Sequence, residues 1–187
     1  MSEEEELRVW AEVDLGAIID NTRALRRLIG KETKLLAVVK ANAYGHGAVG
    51  AAKAALYAGA DYLGVSTVEE GHQLRLGGVG APILILGYVP PSEAERVVEN
   101  RLSTAIFDSS LAGALSTAAG RMKTKAKVHI KVDTGMGRLG LYPDEVLGFY
   151  QYLRGLANLE IEGIFTHLAT ADDPDPRGVR WQLGQFS

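Results

Sequence analysis

Apolar residues in this chain gather in six short runs: Leu35–Val39, Tyr62–Val65, Ile83–Leu86, Thr104–Phe107, Lys127–Val132 and Ile161–Thr166. The runs begin about 20 to 35 residues apart, the length of a strand, a helix and two loops. Leu35–Val39 is apolar on both alternating faces, as a strand covered on both sides is. Helix signals lie between the runs. Ser92-Glu93-Ala94-Glu95 after Pro90-Pro91 reads as a capping box. Asp108 precedes Leu111, Ala114 and Leu115, and Pro143-Asp144-Glu145 opens a helix bearing Val146, Leu147, Tyr150 and Leu153. Ahead of the first run, Val9–Val13 alternates as a short strand does. Asp14 then caps a helix carrying Ile18, Ile19, Leu25, Leu28 and Ile29, closed by Gly30.

Strands that alternate with helices in this way predict an α/β fold with a parallel sheet. Polar residues collect where the strands end, at Lys40, Ser66-Thr67, Asp133-Thr134 and His167. A (β/α)8 TIM barrel gathers its chemistry along that whole rim, whereas a doubly wound sheet does so at one switch point. The expectation is therefore a partial barrel with about six of its eight strands. Six strands leave two open edges, and Trp181–Ser187 reads as the start of a further helix. A natural C-terminal portion is expected to be missing. Met1–Arg8 is expected to be a disordered acidic tail and 9–187 an incomplete barrel domain.

Composition removes several alternatives. A net charge of −3 and the lack of an interleaved basic and aromatic patch argue against nucleic acid. The chain has no cysteine, which excludes disulfides, thiolate metal sites and cysteine nucleophiles. The acidic start does not resemble a signal peptide, and no apolar run reaches the roughly 18 residues of a membrane span. A cytoplasmic protein without membrane contact is expected.

Candidate chemistry begins at Lys40, where the first apolar run opens into Asn42, Tyr44, Gly45 and Gly47. An isolated lysine at a strand end usually extends its amine into solvent. One held at the mouth of a buried strand needs a partner or a covalent task, and its neutral amine attacks aldehydes. A tyrosine flanked by glycines suits a phosphate anchor, so the segment suggests pyridoxal phosphate (PLP) held on Lys40. In His129–Gly140, Val128, Ile130 and Val132 form an apolar face, while His129, Lys131 and Asp133 form the other and should point into the barrel. The glycine-rich turn that follows presents Arg138, and it lacks the ending of a P-loop. His167 ends the last run on the face of Phe165. His46 and His72 read as loop and helix-surface residues. No metal is expected, since His167, Asp172 and Asp173 find no further histidine at matching spacing.

Val38–Gly47 resembles the cofactor-attachment signature of bacterial alanine racemases. Lys131–Gly140 and Gly163–Ala169 are similar to two further signatures of that family. The resemblance implies a fold-type III enzyme: a PLP-binding barrel followed by a C-terminal β-domain, working as a homodimer in the full-length form. It implies interconversion of L- and D-alanine, supplying D-alanine for peptidoglycan. Lys40 would carry the cofactor and act as the base on the D-specific face. Tyr44 would bind the phosphate, Arg138 the phenolic oxygen and the substrate carboxylate, and His167 would lie against the pyridine ring. Lys131 matches a position carbamylated in some members. Family members are about twice as long, and the opposite-face base lies in the remaining half, so this chain alone is expected to have little activity. The alternative is a non-catalytic PLP-binding protein of cofactor homeostasis. A further alternative is a folding or assembly piece whose open edges pair with another chain.

Overall fold

The computed structural model describes residues 9–187, so the expectation for the acidic tail falls on residues outside it. Six strands follow one another in a single sheet: β1 (Leu36–Val38), β2 (Tyr62–Val65), β3 (Ile83–Ile85), β4 (Ser103–Ile106), β5 (Ala126–Lys131) and β6 (Leu159–Phe165). Every neighbouring pair is parallel and the spatial order is the sequence order. That order has no reversal, which rules out a doubly wound sheet and matches a partial TIM barrel. Each predicted run lies within two residues of an observed strand.

The middle strands explain their composition. All of β3 and β4 is buried, including Ile83, Ile85 and Ile106 at 0% exposure. Helices cover the outer face, with Leu74, Val97, Leu111 and Leu115 packed against the sheet. Burying each such side chain contributes about 1.5–3 kcal/mol. The barrel interior begins at Gly64, where a Cβ would come within 2.7 Å of Leu36 and 3.0 Å of Leu86. Leu36 and Val38 therefore face inward, and the same alternation carries Lys40 to the inner mouth.

Two predicted elements differ. Residues 9–13 form no strand, because nothing among the described residues pairs with them; Trp10 is exposed, and its indole N–H donates to Glu12. Asp14 does cap the helix Leu15–Ile29, accepting from the Ala17 N–H. The capping box at Ser92 is absent as well. Pro91–Glu93 is a 3-10 turn leading into Ala94–Glu99 without a side-chain cap, and Glu93 pairs with Arg96. The predicted final helix spans Arg177–Phe186.

Candidate active site

Lys40 follows β1 directly and is half-buried. The chain then does something uncommon: Ala41, Asn42, Ala43 and Tyr44 all take left-handed backbone angles, with φ between 50° and 53°. Gly45 continues at φ 90°, where a glycine is the residue that fits. For residues with a Cβ this costs roughly 1–2 kcal/mol each, so the surroundings must hold the turn. The Ala43 N–H donates to the Val39 carbonyl at 2.9 Å and the Gly47 N–H to the Asn42 carbonyl at 2.9 Å. The Asn42 side chain accepts from the Ala48 N–H at 2.8 Å. Ala43 is buried while Tyr44 is exposed, so the turn anchors by its alanine and presents its tyrosine. The Lys40 amine lies 5.9 Å from the centre of the Tyr44 ring. It makes no ion pair among the described residues.

Lys131 ends β5, is only 5% exposed, and donates to the Leu86 carbonyl at 3.2 Å across the barrel. Its ammonium also lies 5.5 Å from the Phe165 ring centre. Burial lowers its pKa, and Arg138 and Lys40 push in the same direction while Asp133 opposes them. His167 is exposed at the rim; partial burial lowers its pKa, helped by Arg138, Lys131 and Lys40. Lys40 and Arg138, from two separate segments, thus both lie close enough to Lys131 and His167 for their charges to be felt at this end of the barrel.

Asp133 departs from the expected inward face. It lies past the end of β5 and accepts from the Gly135, Gly137 and Arg138 N–H groups at 2.9, 3.0 and 2.8 Å. Burial raises its pKa, but these donors outweigh it and the net shift is downward. The loop it organises is closed at its base by Asp133 N–H to Leu141 and Leu141 N–H to Lys131. Gly140 sits there at φ 129°, and a Cβ would come within 2.6 Å of the Asp133 nitrogen. The carboxylate is therefore committed to shaping the turn that carries Arg138.

His129 does face inward, but far from the rim. It meets Glu162, whose carboxylate accepts from Lys127 at 2.6 Å and Ser103 at 2.8 Å. The His129 Nε2 lies 3.4 Å from it without a well-formed hydrogen bond. Glu162 is the extra residue where β6 skips a position against Val128 and His129. This cluster joins three strands on the barrel floor, where stability rather than chemistry is expected.

Two side chains that pattern reading passed over support the rim. Glu70 accepts from the Ala41 N–H at 2.7 Å and the Ser66 N–H at 2.6 Å. Gln182 is 3% exposed; it accepts from the Ala169 N–H and donates to the His167 carbonyl and Thr134 hydroxyl. Glu70 stands at the third position after the helix cap Thr67, and Gln182 belongs to no local motif. His46 and His72 sit on a loop and a helix as expected, bonded to the Ala43 carbonyl and Asn100.

The model for the N-terminal domain of alanine racemase matches residues 13–187. The chain belongs to the alanine racemase family. It is 55% identical over 95% of its length to an alanine racemase of Symbiobacterium thermophilum, covering 47% of that protein. An alanine racemase of Desulfovibrio desulfuricans is 45% identical over 96% of the chain and is covered over 48%. The solved alanine racemase of Clostridium difficile 630 superimposes with a TM-score of 0.94 at 34% identity, over 98% of this chain and 48% of that one. The chain spans about half the length of the curated relatives it matches.

The donor set at the rim suits PLP. Among the described residues the rim offers an amine without an ion pair, an exposed phenol and further cations, and the Asp133 carboxylate is engaged by backbone. A ligand bearing an aldehyde and a phosphate dianion satisfies that combination. No helix among the described residues is long and apolar enough to cross a membrane.

Proposed function

We propose that this domain holds PLP covalently on Lys40 and forms the cofactor-binding part of an enzyme interconverting L- and D-alanine. The observation that carries the reading is the Lys40 amine at the inner mouth of the barrel, without an ion pair among the described residues and grouped with Arg138, Lys131 and His167. PLP, when bound, withdraws electrons from the α-carbon of the attached amino acid and makes its proton acidic. Lys40, displaced by the substrate, moves that proton on the D-specific face. Tyr44 binds the phosphate, and its exposed ring beside the Lys40 amine fits that role. Arg138 bonds the phenolic oxygen and holds the substrate carboxylate, from the turn that Asp133 shapes. His167 lies against the pyridine ring.

Lys131 is carbamylated in this reading: its neutral amine adds to carbon dioxide, the proton leaves to solvent, and the carboxylate formed orients Arg138. Burial and two neighbouring cations favour the neutral amine, and the same cations stabilise the anionic product. Racemisation also needs a group on the opposite face of the α-carbon. We assign it to the partner subunit of a homodimer, in a cytoplasmic enzyme that supplies D-alanine for peptidoglycan. A non-catalytic PLP carrier is less well supported, since the relatives are named alanine racemases.

The test is α-proton exchange. The 187-residue chain, loaded with PLP, is incubated in D2O with each alanine enantiomer and followed by proton NMR. Deuterium should enter D-alanine faster than L-alanine, with net racemisation much slower, and Lys40→Ala should abolish the difference. Equal exchange of both enantiomers, or none by a chain carrying PLP on Lys40, contradicts the proposal.

A further inference from the structure

Glu70 belongs to the helix Val68–Leu76, whose cap is Thr67; the Thr67 hydroxyl accepts from the Glu70 N–H at 3.2 Å. A glutamate at this third helical position ordinarily completes a capping box by accepting from the N–H of the cap residue. Here the carboxylate reaches further. One oxygen takes the N–H of Ser66, one residue before the cap, at 2.6 Å. The other crosses to the neighbouring strand end and takes the N–H of Ala41 at 2.7 Å. The two donors stand immediately past β2 and immediately past Lys40. Glu70 makes no ion pair among the described residues. The adjacent Glu69 is turned outward and pairs with Arg96.

From this geometry we infer that Glu70 is a positioning residue for Lys40, a role that rests on the PLP reading above. The peptide between Lys40 and Ala41 can rotate only by breaking its bond to the carboxylate. Its orientation sets the direction in which the Lys40 side chain leaves the backbone. It also fixes the first residue of the left-handed run Ala41–Tyr44, which the sequence alone does not favour. A charged acceptor at a helix N-terminus is favourably placed, and its bonds to backbone N–H groups are stronger than neutral ones. The clamp also joins β1, an edge strand, to β2, so the lysine is referenced to the core of the sheet. Preorganisation of this kind contributes to catalysis because misplacing a reacting group by about 1 Å can cost about a hundredfold in rate.

The test compares wild type with Glu70→Ala, Glu70→Gln and Glu69→Gln, each checked for folding by circular dichroism. Amide hydrogen exchange without PLP reads the clamp, and borohydride trapping followed by peptide mass analysis reads PLP uptake at Lys40. Glu70→Ala should speed exchange at Ala41 and Ser66 by about tenfold or more and lower the rate of Lys40 labelling by a similar factor. Glu70→Gln, which keeps the shape and one good acceptor, should fall between; Glu69→Gln should match wild type. Unchanged Ala41 exchange in both Glu70 variants overturns the inference. So does faster exchange with unchanged Lys40 labelling, which would leave Glu70 a structural residue only. Wild type that takes up no PLP at Lys40 overturns the reading of the site itself, and this role with it.

Discussion

Replacing Gln182 by leucine tests how the rim is held. The side chain is 3% exposed and serves both signature loops from the helix Arg177–Phe186. Its oxygen accepts from the Ala169 N–H at 2.8 Å; its amide donates to the His167 carbonyl at 3.0 Å and the Thr134 hydroxyl at 3.1 Å. Leucine keeps most of the volume and removes all three bonds. At about 1 kcal/mol net for each, the loss is about 3 kcal/mol. The Thr134 hydroxyl keeps Thr166 as a partner at 2.7 Å, which holds the cost near that figure. For a chain of this size 1 kcal/mol moves Tm by about 2–4 °C, so Tm should fall by roughly 6–12 °C. Thermal unfolding by circular dichroism measures it, and Trp181 fluorescence reports locally, because its ring lies against Gly135. A Tm within about 2 °C of wild type would refute the claim that Gln182 fastens the two loops.

Gly140→Ala should destabilise by about 2–4 kcal/mol through the strained φ and the collision with the Asp133 backbone; chemical denaturation measures it, and an unchanged midpoint would contradict it. On acidification, His129 and His167 have pKa values lowered below 6.5, His129 chiefly by burial. The unfolded chain therefore takes up those protons first, so stability should fall as pH drops below about 6.5. His129→Gln should flatten part of that slope. Glu162, with its pKa lowered below 4.5 by Lys127 and Ser103 against the opposing effect of burial, contributes stability that should disappear only at lower pH. Carbon-13 bicarbonate should give a carbamate NMR signal on Lys131 that grows from neutral to mildly alkaline pH and is missing in Lys131→Arg; a signal that persists in that variant excludes the assignment.

Pattern reading recovered the parallel sheet because its strands are short and buried, so that Ile83–Leu86 or Thr104–Phe107 cannot be mistaken for surface helices. Lys40, Lys131, Arg138 and His167 stand out in the sequence as candidates because each adjoins an apolar run or a glycine turn. What escaped depends on distance along the chain. Glu70 and Ala41 are 29 residues apart, and Gln182 and Thr134 are 48 apart. Val9–Val13 alternates correctly yet finds no strand to pair with among the described residues. Glu162 escaped because a bulge breaks the alternation on which face assignment rests. The left-handed run after Lys40 is invisible to propensity, since alanine and tyrosine ordinarily avoid it.

Covalent attachment of PLP to Lys40 is the claim from which the rest follows. The direct measurement is to mix the chain with PLP, reduce with borohydride, digest, and find the modified peptide by mass. A phosphopyridoxyl group should appear on Lys40 and be lost in Lys40→Ala. Modification of other lysines alone, or equal labelling in that variant, would contradict it.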